Sequence, residues 1–440
     1  MNYNKFFELA KAAGLEEAEL YVSESTDLSF ELFHGEVTNY ENNTAKSIVA
    51  RGLYNGRFGS ASCDVWDLKR AEYLVNEIKG NAIVNENDDP AIIFKGSEKY
   101  KKVNTYNKEL ENVTFEEKLN KILELENEIR KSDPKIVEVA ETAYSEKFES
   151  VTLLNSKGLK LSQKSNYFVV FGVAVATDGK QTKSDYDLVL SNDFSKLDVK
   201  SLAKKIANKT VSQLGGEACK SANYKAVLAP SVVTSLLSTL IHYASSEEVQ
   251  KQSSLFIGKL GQKVASSKIT IEDRPLEKTV FARSFDDEGV ATYNKSIIKN
   301  GILETYLYNL KTAAKEGRES TGNGYKSGDT MGVSANFLYL KPGKKTQEEL
   351  FLDVKDGVYI TSVTGLHAGL NQQSGDFSLQ STGFLIKDGK LDRGLDIITV
   401  SGNILKVFED VKEVGSNVEI SPSGVSCSSL LIKNLTVSGK

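Results

Sequence analysis

Residues 47–62 read Ser-Ile-Val-Ala-Arg-Gly-Leu-Tyr-Asn-Gly-Arg-Phe-Gly-Ser-Ala-Ser, and the Asn55-Gly56 pair inside them sets how the chain folds on either side. Asn-Gly accepts the two positive φ angles of a type I′ turn, whose twist matches that of paired strands, so the flanking segments are expected to run antiparallel. Upstream, Ala18, Leu20 and Val22 alternate with polar residues, and Leu28, Phe30 and Leu32 repeat the alternation before Gly35 turns the chain. A short helix carrying Phe6, Phe7, Leu9, Ala10 and Ala13 precedes these strands and stops at Gly14. Downstream, Leu68, Ala71, Val75 and Ile78 fall on one helical face, with Asp64 as the expected cap.

From Asn85 to Asn112 the periodicity lapses and the composition turns polar, as in a connector. Thr114 with Glu117 then forms a capping box, because each side chain can satisfy the other's free backbone N–H. Phe115, Leu119, Ile122 and Ile129 make the expected buried stripe, and Asp133-Pro134 ends the helix. Strands follow around Ser156-Lys157-Gly158 and Asp178-Gly179, including the apolar run Tyr167–Ala176, and a basic helix near Leu202–Leu214 closes this half. Gly215-Gly216 and the polar stretch to Asn223 mark the expected boundary. Beyond it come a short strand at Ala226–Leu228, a helix opened by Pro230-Ser231, and mostly strands, with turns at Asn300-Gly301, Asp356-Gly357 and Asp388-Gly389. The expectation is an α+β protein. Residues 1–220 form an N-terminal region of two lobes, about 1–84 and 113–220, joined by the connector. Residues 221–440 form a large antiparallel β-rich domain.

The 440 residues are 40% hydrophobic and 26% charged with only 6 Pro, a balance that excludes collagen-like and disordered classes. The net charge of -4, without long one-sign runs, offers no surface for direct binding of nucleic acid. The longest apolar run falls short of the ~20 residues a membrane helix needs, and no secretory signal opens the chain, so no membrane association and a cytoplasmic location are expected. Cys63, Cys219 and Cys427 are odd in number and far apart, which argues against a disulfide framework.

Chemistry-bearing residues are sparse. His34, His242 and His367 stand outside metal-ligand spacing. His242 lies opposite the stripe of Leu236 and Leu240 and reads as a surface histidine despite its neighbours Glu247 and Glu248. Cys427 and His367 could pair as nucleophile and base only if the fold joined them, and a small buried thiol is the simpler reading. Gly322-Asn323-Gly324 is a near miss to a phosphate loop, but a helix and not a strand precedes it. Asp286-Asp287-Glu288-Gly289 lacks the alternating ligands of a calcium loop and reads as a solvated turn.

The tract Ser254–Val264, then Phe285–Ala291, Asn300–Leu303 and Ser320–Asn323, follows an order that resembles the TldD/PmbA family. His367-Ala368-Gly369-Leu370-Asn371, Ser374–Ser378 and Gly383-Phe384 resemble its PmbA (TldE) branch, and Glu17–Leu20 and Arg51–Ser62 fit as well. The resemblance covers nearly the whole chain. In the TldD-like subunit a helix carries HExxxH, which with a distal cysteine binds the catalytic metal. Here the corresponding stretch reads His242-Tyr243-Ala244-Ser245-Ser246-Glu247, so the general base is replaced by Tyr243 and the second histidine by Glu247. Cys427 lies too near the C-terminal strand to match the metal cysteine.

The resemblance therefore implies a subunit without catalytic or metal-ligating residues and without a cofactor of its own. It would assemble with a TldD-like metalloprotease that holds a divalent metal, zinc, and acts on unfolded or leader peptides. The isolated chain is expected to form a homodimer. The motif positions Asp286, Asp287, Glu288, Gly289, Thr321, Gly322, Asn323, His367, Asn371, Gly375 and Asp376 are expected to be structural or cleft-forming. Two rival readings are a self-standing peptidase using His242 with Glu247 or Glu248, or Cys427 with His367, and a protein-binding regulator of the gyrase-modulator type.

Overall fold

The computed structural model describes residues 3–328 and 330–440. The first half runs α1 (Asn4–Ala12), β1 (Glu17–Phe33), β2 (Glu36–Tyr54), β3 (Arg57–Cys63) and α2 (Leu68–Val84). A largely irregular stretch leads to α3 (Phe115–Ser132), β4 (Ile136–Asn155), β5 (Lys160–Thr177), β6 (Thr182–Ser191) and α4 (Val199–Val211). All six strands join one antiparallel sheet in the order β3-β2-β1-β4-β5-β6. Asn55 and Gly56 take φ of 52° and 72°, the left-handed pair that the I′ turn requires.

Helices cover a single face of this sheet. The apolar side chains of the strands point to it: Leu20, Val22, Ile48, Ala50 and, on β3, Ala61 pack under α1 and α2, and Phe30, Tyr144, Phe168 and Val170 under α3 and α4. The opposite face meets the second half of the chain, where the Tyr21 hydroxyl donates to Asp287 (2.9 Å) and the Gln163 amide to the Ala282 carbonyl (2.8 Å). The alternation of a half-buried strand thus becomes the division between a helix-packing face and a docking face.

Local signals give the expected helix starts, with one correction. The Thr114/Glu117 box is formed, Thr114 N–H donating to the Glu117 carboxylate at 2.7 Å. The cap of α2 is Asp67 and not Asp64; its carboxylate accepts from Arg70 N–H at 2.7 Å. The intervening residues carry Trp66 onto Tyr3, edge to face at 4.6 Å, so the helix starts one turn later. Phe115, expected in the buried stripe, is exposed at the sheet margin and meets Phe30 and Tyr40 edge-on.

The second half comprises β7 (Ala222–Leu228), α5 (Pro230–His242), α6 (Ser246–Gln250), β8 (Ile271–Asp273), β9 (Lys295–Lys299), β10 (Ile302–Leu303) and α7 (Leu310–Lys315). Then come β11 (Gly324–Ser327), β12 (Thr330–Val333), β13 (Leu338–Leu340), α8 (Gln347–Val354), β14 (Gly357–Thr364) and α9 (Leu366–Gly369). It ends with β15 (Asp376–Lys387), β16 (Lys390–Asn403), α10 (Ile404–Glu409), β17 (Val411–Val414), β18 (Glu419–Ile420), β19 (Val425–Cys427) and β20 (Leu430–Ser438). One sheet has the order β16-β15-β14-β7-β20-β17, and an added β16–β20 pairing closes five of its strands into a ring. The second sheet is β10-β9-β8-β13-β19-β18, and β11–β12 stands apart as a hairpin.

The fold is α+β with a large, mainly antiparallel β-rich C-terminal domain. Two parallel pairings, β7–β14 and β13–β19, interrupt the antiparallel order. Asp356-Gly357 accordingly joins α8 to β14 and not two strands, with Lys355 at φ 62° ending the helix. Helix α5 buries Val232, Val233, Leu236, Leu237, Leu240 and Ile241, so the core of this half is built around it. No described helix is long and apolar enough to cross a membrane.

Candidate functional site

The turn at Asp286-Asp287-Glu288-Gly289 is not solvated: the three acidic residues are exposed by 0%, 4% and 3%. Gly289 at φ 83° lets the chain reverse, its N–H donating to Asp286 O (3.0 Å), and a side chain there would collide with Leu153 and Leu159 of the N-terminal sheet. Fixed backbone donors compensate the buried carboxylates. Asp286 Oδ1 accepts from Glu288 N–H (3.0 Å) and Val290 N–H (2.9 Å), and Oδ2 from Gly324 N–H (2.7 Å). Asp287 accepts from Arg283, from the Tyr21 hydroxyl and from Lys326 N–H (2.9 Å). Glu288 Oε2 accepts from Leu310 N–H at the start of α7 (2.7 Å).

Thr321, Gly322 and Asn323 meet this turn from the other side. Asn323 Nδ2 donates to Asp273 Oδ2 (2.8 Å), while Thr321 Oγ1 donates to Asn323 Oδ1 (2.8 Å) and accepts from Tyr308 N–H (2.7 Å). Gly324 has to be glycine because a Cβ would fall 2.8 Å from the Glu288 carboxylate. Asp273, which the sequence reading passed over, is fully buried and also receives Lys295 Nζ (3.0 Å) and the N–H groups of Asn336 and Phe337 (both 3.0 Å).

Beside Glu288 lies Arg51, whose Nε donates to Glu19 Oε1 at 2.7 Å on the docking face of the sheet. Among the described residues, Glu19 Oε2 and Arg51 Nη2 are buried without a hydrogen-bond partner. Arg51, Glu288, Glu247, Asn87, Lys311 and Met331 line a cleft of about 400 Å³ between the two halves of the chain. Burial, then the adjacent Asp286 charge, pushes Glu288 up to about 8, against the pull of Arg51 and Leu310 N–H. Burial also raises Asp286, against its three backbone donors. Burial would raise Asp287 too, but the Arg283 guanidinium outweighs it with the help of Lys326 N–H and Tyr21, and the net shift is downward.

This arrangement has a testable pH signature. A carboxyl whose folded value lies above its unfolded one holds an extra proton in the fold, so its contribution to stability falls as pH rises from ~4.3 toward about 8. Glu288→Gln keeps an acceptor for Leu310 N–H. It is expected to resemble the parent near pH 4 and to be the more stable protein above pH 8, by ~1 kcal/mol or more. Parallel urea-unfolding profiles at the two pH values would contradict this.

The remaining motif positions form a separate turn. Asn371 Oδ1 accepts from Gln373 N–H (2.9 Å) and Ser374 N–H (3.1 Å), and Gly375, at φ 77°, donates its N–H to Asn371 O (2.8 Å). Asp376 accepts from Ser374 Oγ and Asn403 Nδ2, both at 2.8 Å. His367 is exposed on α9. Cys427 is fully buried beside α5, within 3.2 Å of Thr234 Oγ1 and Pro230 O, and burial pushes its thiol up to about 11. A buried, protonated thiol is inert.

The stretch His242–Glu247 does not continue one helix. Helix α5 ends at His242, and α6 begins at Ser246. His242 is exposed, 3.8 Å from Glu248, and opens onto a cleft of about 190 Å³ with Ser334 and Gly424, not onto the cleft lined by Glu247. Tyr243 turns into the core and donates its hydroxyl to Gln372 O (2.8 Å), while Glu247 is held by Lys251 at 3.0 Å. These residues do not fit a metal, which needs several donors converging on one point. Among the described residues no three of His, Cys, Asp and Glu are grouped to hold one.

Three family profiles match the chain: PmbA/TldA metallopeptidase domain 1 over residues 18–81, the central domain over 108–214 and the C-terminal domain over 221–439. An uncharacterized protein of Methanocaldococcus jannaschii is 30% identical over 97% of this chain and 98% of its own length. A metalloprotease of the same organism is 26% identical over 96% and 94%. A Thermotoga maritima crystal structure, of a protein whose description ties it to modulation of DNA gyrase, superposes with a TM-score of 0.92 at 30% identity, covering 99% of both chains. TldE from Thermococcus kodakarensis shares the fold, with a TM-score of 0.91 at 22% identity over 99% of this chain and 100% of its own.

Proposed function

The chain belongs to the PmbA/TldD metallopeptidase family, and from that membership we propose that it is the TldE-like, non-catalytic subunit of a heteromeric metalloprotease. The observation that carries the reading is the local geometry at the metal-helix positions: α5 stops at His242, Tyr243 is turned into the core, and Glu247 is engaged by Lys251. The metal, zinc, belongs to a TldD-like partner. Unfolded or leader peptides are the substrate, and this chain shapes the cleft through which they reach the metal. The setting is the cytoplasm, and the isolated chain is a homodimer.

Elemental analysis of the purified chain, and cleavage of an unfolded peptide by a TldD-like subunit with and without it, test the proposal. The expected result is no stoichiometric metal in this chain and cleavage only when both subunits are present. One zinc per chain, lost on His242→Ala and accompanied by peptidase activity of the chain alone, would overturn it.

A further inference from the structure

The outer margins of the N-terminal sheet are treated unequally. Along β3, outward carbonyls are capped by α2: Asn81 Nδ2 donates to Ser60 O and Asn85 Nδ2 to Phe58 O, both at 2.8 Å. On β6, Lys209 Nζ donates to Tyr186 O at 2.7 Å. Such devices keep a sheet edge from recruiting another chain. Strand β3, however, pairs only with residues 48–54 of β2, so residues 36–47 carry no strand on their outer side among the described residues. All but Lys46 in this segment are exposed.

The segment reads Glu36-Val-Thr-Asn-Tyr-Glu41-Asn-Asn-Thr-Ala-Lys46, and its chemistry is close to palindromic about Glu41. Placed antiparallel against itself, it sets Thr38 opposite Thr44, Asn39 opposite Asn43, Val37 opposite Ala45 and Glu36 opposite Lys46, each twice. Thr–Thr pairs are favourable cross-strand neighbours, Glu36 of one copy would add a second carboxylate to Lys46, which already meets Glu24 at 2.8 Å, and the single like-charged pair is Glu41 with itself on the axis. Sliding by two residues loses the Thr–Thr, Asn39–Asn43 and Glu–Lys matches, leaving only Tyr40 opposite itself when Glu36 meets Thr44, or Asn42 opposite itself when Thr38 meets Lys46. Exposed Val37, Tyr40 and Phe115 lie beside the edge, Tyr40 and Phe115 edge to face at 5.6 Å, and add apolar area for a second subunit to cover.

We propose that residues 36–47 are the surface on which a second copy of this chain docks, edge to edge and antiparallel about a twofold axis at Glu41. The pairing is isologous, as a closed dimer requires. It makes the two sheets continuous, with both C-terminal domains on the same side. The inference rests on the proposed function only for the premise that the chain assembles with a like-folded subunit.

The test is disulfide trapping of the full-length chain in a Cys63→Ser background, since Cys219 and Cys427 are buried. Opposed residues on antiparallel strands have Cα atoms ~4.5–5.5 Å apart, inside the ~4.4–6.8 Å that a disulfide spans. Glu41→Cys should therefore oxidise to a covalent dimer. Val37→Cys alone should not, whereas Val37→Cys mixed with Ala45→Cys should. Glu41→Gln should tighten the dimer by ~2–5-fold by removing the axial repulsion.

A chain that is dimeric by light scattering yet yields no Glu41→Cys cross-link overturns this surface and leaves the proposed function standing. A strict monomer at tens of micromolar overturns it as well. Failure to activate a TldD-like subunit, with the cross-link formed, counts against the proposed function alone.

Discussion

Asp273→Ala is expected to be the most damaging single truncation in the C-terminal domain, at ~3–5 kcal/mol. Its carboxylate is fully buried and receives Lys295 Nζ, Asn323 Nδ2, Asn336 Nδ2 and the backbone N–H groups of Asn336 and Phe337. Removing it leaves the ammonium of Lys295, itself only 6% exposed in its side chain, without a counter-charge. Several donors lose their acceptor at the same time, and each orphaned buried group adds its own desolvation cost. Asp273→Asn keeps the volume and part of the acceptor capacity, so it should fall between the parent and the alanine variant. Chemical denaturation of the three proteins decides this. An alanine variant within ~0.5 kcal/mol of the parent, the range of an ordinary surface change, would show that the network contributes little.

The second large effect is expected at Gly59. A Cβ there would fall 1.8 Å from the Ile78 carbonyl oxygen and 2.8 Å from Ala82 N, so Gly59→Ala has to push α2 away from β3. The displacement would open the layer in which Leu74, Val75 and Ile78 pack against Leu20, Ile48 and Ala50. Overpacking against backbone has no soft side chain to absorb it, and a loss at or above the usual ~1–3 kcal/mol is expected. Gly56→Ala, in the turn where a Cβ meets nothing, should cost less, limited to the strain of its positive φ. Comparing the two melting temperatures separates steric from conformational demands on glycine. Equal losses would refute the steric account.

Features determined by neighbours in sequence were legible. Asn55-Gly56, the Thr114/Glu117 box and the alternation through Leu20, Val22, Phe30 and Leu32 each contain their own physical reason within a few residues. The candidate site was not legible in the same way, because its partners come from afar: Asp286 takes a donor from Gly324, Glu288 from Leu310, and Asp287 from Tyr21. An acidic triplet before a glycine looks solvated until those donors are in place. The same distance hid Asp273 and the parallel β7–β14 pair, whose members pair Ala226 with Val358. His242 and Cys427 read correctly as surface and buried residues because helical phase and apolar context are themselves local.

The six-stranded sheet also governs the order in which the molecule can be made. Strand β1 is interior, bound on one side by β2 and on the other by β4, where Glu19 lies opposite Asn155. On the ribosome, β1 and β2 can pair almost at once, but the second edge of β1 waits for roughly 100 more residues, until β4 is made, ~10 s at ordinary synthesis rates. During that interval an apolar row, Leu20, Val22, Phe30 and Leu32, stands next to an unfilled strand position. Long-range pairing of this kind slows folding because the loop must close before any contact compensates it. The nascent N-terminal hairpin is therefore the stage at which this chain is most open to misassembly and to chaperone binding.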